Sequence, residues 1–73
     1  MEKTIDDYIE ERNELQLKAE GINKTIADNC WAELGVANRH IARVLSGEFR
    51  LEVVENEIIK CLSRTRKMFE PTE

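Results

Sequence analysis

Proline is almost missing from this chain: the single one, Pro71, is third from the end of 73 residues. Glycine occurs only at positions 21, 35 and 47. With so few breakers, and with Glu, Lys, Arg, Leu and Ile abundant, the chain reads as mostly helical. Histidine occurs once, as His40, with no Ser or Cys placed near it as a nucleophile. A glycine-rich phosphate loop is also missing. Acid pairs such as Asp6-Asp7 read as helix-start residues, so no enzymatic activity is expected. The two cysteines, Cys30 and Cys61, have no second Cys or His at metal-ligand spacing. They are expected to be small buried residues in a reducing compartment, a disulfide being the alternative. No metal or cofactor is expected. No long apolar run and no signal peptide occur, so the expectation is a soluble cytoplasmic protein.

What is there is enough for one small domain over residues 1–73. Apolar residues make up 41% of the chain, which supports a single modest core. The net charge is −4, which argues against simple nonspecific nucleic-acid binding. The acid is unevenly placed. Residues 1–20 hold seven acids and three bases, whereas residues 21–73 hold eight of each. Within residues 38–50 the bases Arg39, Arg43 and Arg50 face a single acid, Glu48.

Besides the run from Leu34 to Gly47, three further helical stretches follow from periodicity. Thr4 can cap a helix over about 4–20, with Asp6 and Asp7 in its first turn. Ile5, Ile9 and Leu15 would face the core with Tyr8 beside them, and the acids would lie outside, on a solvated face. Asn23 or Thr25 can cap the next helix. There Ile26, Ala27, Cys30, Trp31 and Leu34 recur at helical spacing, and Trp31 reads as core. A last helix runs over about 51–69. Val54, Ile58, Cys61 and Leu62 form its stripe, and its acids precede its bases as the helix dipole favours. Phe49 reads as a core plug, and Pro71 ends the element before a tail at 70–73.

The run from Leu34 to Gly47 is the most informative. Gly35 can take φ > 0, so it can end one helix and redirect the chain. After it, Ile41, Val44 and Leu45 fall on one face, and Asn38, Arg39, Ala42, Arg43 and Ser46 on the other. Such a helix could read base edges, since Asn pairs bidentately with adenine and Arg with guanine.

Leu34, Gly35, Val36, Ile41, Val44, Leu45 and Gly47, followed by Val54, Glu55 and Ile58, resemble the small helix-turn-helix regulators of the phage repressor and Cro type. The resemblance covers about residues 21–64. It implies an all-α domain of four to five short helices, lambda-repressor-like, with the helix-turn-helix at about 24–46. It also implies a sequence-specific double-stranded DNA-binding repressor or other transcriptional regulator of phage or mobile-element origin. Two positions depart from the pattern. Trp31 stands four before Gly35, where a small residue usually permits close crossing. Ala37 stands where Ser or Thr usually caps the readout helix, so Asn38 either caps or reads a base.

On this reading Arg39 and Arg43 make the main DNA contacts, with Asn38 and Ser46 in support. Lys24, His40 and Arg50 reach flanking phosphates. Met68 and Phe69, with Ile59 adjoining, are left over as an apolar surface for a homodimer. Two rivals are a helix-turn-helix-fold protein-interaction module, antitoxin-like or adaptor, which the acidic balance favours, and a helical oligomer built on the last helix.

Overall fold

The computed structural model describes residues 3–70, and Pro71 and the rest of the tail lie outside them. Among the described residues there are three helices and no strand: α1 (Ile5–Glu20), α2 (Lys24–Leu45) and α3 (Leu51–Lys67). The fold is all-α. The expected four to five helices are three, because α2 runs unbroken through Gly35.

Local chemistry sets the helix ends. Thr4 and Asp7 form a reciprocal capping box at the start of α1. Asn23 Oδ1 accepts from the Thr25 N–H at 2.9 Å and caps α2. α2 ends in a Schellman closure. The N–H groups of Gly47 and Glu48 donate to the carbonyls of Val44 and Arg43. Gly47 holds φ +82°, the one positive φ among the described residues. The chain therefore turns at Gly47 and not at Gly35.

Short connections make sequential helices antiparallel. Arg12 of α1 meets Asn38 of α2, Glu33 of α2 meets Arg64 of α3, and Lys18 of α1 lies over the Phe69 ring just past α3. The core is one cluster of Tyr8, Leu15, Leu34, Ala37, Ile41, Val54, Ile58, Cys61 and Leu62, with Ile5, Ile9, Val44, Leu51 and Phe69 packed around it. Thr65 is also fully buried, its hydroxyl donating to the Cys61 carbonyl at 2.9 Å.

One continuous helix changes which residues of α2 face inward. Ala27, Cys30, Leu34, Ala37 and Ile41 are buried. These positions keep one phase at 3.6 residues per turn only if the helix does not stop at Gly35. Val36 then lies about 200° around the helix from Leu34 and is 41% exposed. Trp31, expected in the core, is next to Cys30 on the shoulder of the stripe and is 39% exposed. Phe49, expected as a plug, is 37% exposed and stacks instead under the Arg43 guanidinium, 5.5 Å from its ring centre.

Candidate interaction surface

The residues expected to contact DNA do not form one cluster. Arg39 is exposed on the outer face of α2, and Arg43 is half-buried there by its contact with Phe49. Asn38 instead turns toward α1, where its side-chain oxygen accepts from the Arg12 guanidinium. His40 is half-buried, and its Nδ1 is enclosed without a hydrogen-bond partner. It lies two helical turns along the same side of α2 as Glu33, whose carboxylate pairs with Arg64 of α3 at 3.6 Å. The Ser46 hydroxyl donates to the Arg43 carbonyl at 3.0 Å, a helix-end contact. Lys24 is at the opposite end of α2, about 22 Å along the axis from Arg39. Arg50 lies beyond the turn and pairs with Glu52 at 3.5 Å.

The proposed dimer residues are likewise divided. Met68 is half-buried, with its Sδ accepting from Cys30 Sγ at 3.5 Å. Phe69 is half-buried against the core, with Lys18 Nζ 6.0 Å from its ring centre. Both close onto their own chain, and only Ile59 of the three is exposed. Part of the apolar surplus expected at this end, Met68 and Phe69, thus makes contacts within the fold, and Ile59 stays outside.

A different surface emerges on α2. Asp28, Trp31, Ala32, Gly35, Val36, Arg39 and Ala42 are all exposed along one side of it. α1 and α3 pack on the opposite side, so among the described residues no helix covers this outer face. A Cβ added at Gly35 would meet nothing within 4 Å. Neither Asp28 nor Arg39 takes part in an ion pair among the described residues. Helical counting could have found this face. The buried positions 27, 30, 34, 37 and 41 keep their phase across the glycine, which leaves 28, 32, 35 and 39 together outside.

The remaining chemistry is structural. The Cys30 and Cys61 thiols are free and buried, and burial pushes both above the usual thiol range. Among the described residues, no three His, Cys, Asp or Glu side chains gather to hold a metal, and no helix is long and apolar enough to cross a membrane. No known protein family, curated protein or solved structure matches the chain.

Proposed function

We propose that this chain is a small helical protein-interaction module whose docking surface is the outer face of α2. The observation that carries this reading is the exposure of Trp31 and Val36 on either side of Ala32 and Gly35. A core of three helices is already complete beneath them. Large apolar groups left outside a finished core mark a contact surface more often than a single exposed leucine does. The small residues between them let another helix approach closely, as ridge-into-groove packing requires. The net charge of −4 suits a protein partner better than a polyanion.

The test is site-specific photocrosslinking in the cells that make the protein. A photoreactive phenylalanine replaces Val36 in one variant and Glu10, on the outer side of α1, in another. A discrete protein adduct from position 36 and none from position 10 supports the reading. Equal patterns, or none from either, overturn it.

DNA-binding transcriptional regulation, the function implied by the repressor-like residues, is the second reading. Arg39 and Arg43 favour it, since both stand on the outer side of the C-terminal half of α2. Without a turn at Gly35 the reading helix would be α2 itself, laid along the major groove. Binding to random duplex DNA that falls steeply with salt, and drops further in Arg39→Ala and Arg43→Ala, would establish this reading over the first.

A further inference from the structure

We infer that the occupant of the outer α2 face is a second copy of this chain, its α2 antiparallel to the first about a two-fold axis between Ala32 and Gly35. The inference rests on the docking reading above and names its partner. An isologous contact places one surface patch against itself, so the patch must be complementary to its own rotated image. In an antiparallel helix pair centred between positions 32 and 35, residues whose numbers sum to 67 stand at the same level, and those close to the seam face each other. Ala32 then meets the partner's Gly35 at the seam, while the axis brings Trp31 beside the partner's Trp31 on one flank and Val36 toward the partner's Val36 on the other. Asp28 meets the partner's Arg39, and because the axis repeats every contact, two such ion pairs form.

Each of these matches has a basis in the structure of one chain. Asp28 and Arg39 are both exposed, and neither is used in an ion pair among the described residues. They stand about 16 Å apart along the helix, at equal distances from the Ala32–Gly35 midpoint. A surface shaped for an unrelated helix would not need its acid and its base at mirrored positions. Gly35 adds a separate argument. A glycine inside a helix weakens it relative to alanine, and the chain itself gives no steric reason for one there, because a Cβ would meet open space. A helix crossing at this point supplies the reason, since the two axes come closest where side chains are smallest. The two Trp31 side chains then cover one flank of the crossing and the two Val36 side chains the other. Lys24 and the partner's Arg43, the one like-charged match, fall at the far ends where the crossed helices diverge.

Sedimentation equilibrium over a wide concentration range tests the arrangement, with emission of Trp31, the only tryptophan, as a second readout. The wild type is expected to dimerise, its emission shifting to the blue as it does. Asp28→Arg and Arg39→Asp each set like charges face to face twice and should weaken the dimer at least about tenfold. The double exchange, Asp28→Arg with Arg39→Asp, should restore it to within about threefold of the wild type. Gly35→Leu should abolish the dimer while circular dichroism shows the helices intact. A wild type that stays monomeric, or a dimer indifferent to the charge exchanges, overturns the inference. If position 36 still crosslinks a different protein in that case, the docking reading stands and only the second copy is lost. If position 36 crosslinks nothing, both fall.

Discussion

The Tyr8 hydroxyl donates to Glu55 Oε1 at 2.6 Å across 47 positions of sequence, tying the first turns of α1 to those of α3. Tyr8 is 1% exposed, so its ring belongs to the core while its oxygen reaches a half-buried carboxylate. Lys3 lies over the same ring, 5.3 Å from its centre. Burial, and then the hydrogen bond and charge of Glu55, push the phenol up to about 12 from 10.0.

That shift predicts a loss of stability at alkaline pH. The folded state favours the neutral phenol, so the contribution is complete below pH 10 and disappears as pH rises toward 12. Its size is on the order of 2 kcal/mol. Tyr8→Phe should cost about 1 kcal/mol at neutral pH and remove the part of the alkaline loss that lies between pH 10 and 12. Burial also raises both cysteines above 9.0, so their share of the loss, which starts lower, should remain in the variant. Urea unfolding at a series of pH values measures both. An unchanged alkaline slope in Tyr8→Phe would show that the phenol is not the responsible group.

The glycines predict opposite signs. Gly35 lies inside a helix, has no positive φ and has open space at its Cβ. Gly35→Ala should therefore stabilise the monomer by about 0.5–1 kcal/mol. Gly47, at φ +82°, should lose about 1–2 kcal/mol when replaced by alanine. In a domain of this size 1 kcal/mol moves the melting temperature by about 4–8 °C, so dilute thermal melts resolve both. A lower melting temperature for Gly35→Ala would put the turn back at position 35.

Cys30 and Cys61 should be slow to react in the folded protein. Both are buried, and burial disfavours the thiolate that attacks disulfide reagents. Titration with an aromatic disulfide should show two thiols released rapidly in denaturant and slowly without it. Rapid release of either under native conditions would contradict its burial.

Phe69 should matter to the fold and not to association. Its ring is half-buried against the core beneath Lys18. Phe69→Ala should cost about 1–2 kcal/mol through lost apolar burial, with no change in the monomer–dimer equilibrium of the molecules still folded. A wild-type melting temperature combined with weaker self-association would return the dimer contact to the C-terminal end.

The sequence by itself determined what depends on near neighbours. Thr4 with Asp7 and Asn23 with Thr25 act within three residues, so the caps of α1 and α2 were legible. The spacing of Val54, Ile58, Cys61 and Leu62 displayed the buried stripe of α3 directly. The all-helical class followed from the scarcity of breakers. Tertiary structure decided the rest. A glycine inside a helix costs only about 1 kcal/mol, so Gly35 could equally end a helix or sit within one. Ala37 and Ile41 pack in the same core as Leu34, and that shared burial keeps α2 continuous. The same continuity moved Val36 and Trp31 outward and turned Asn38 toward Arg12. Met68 found Cys30 across 38 positions. Local periodicity states that a residue belongs to a stripe; only packing against the other helices states where that stripe points.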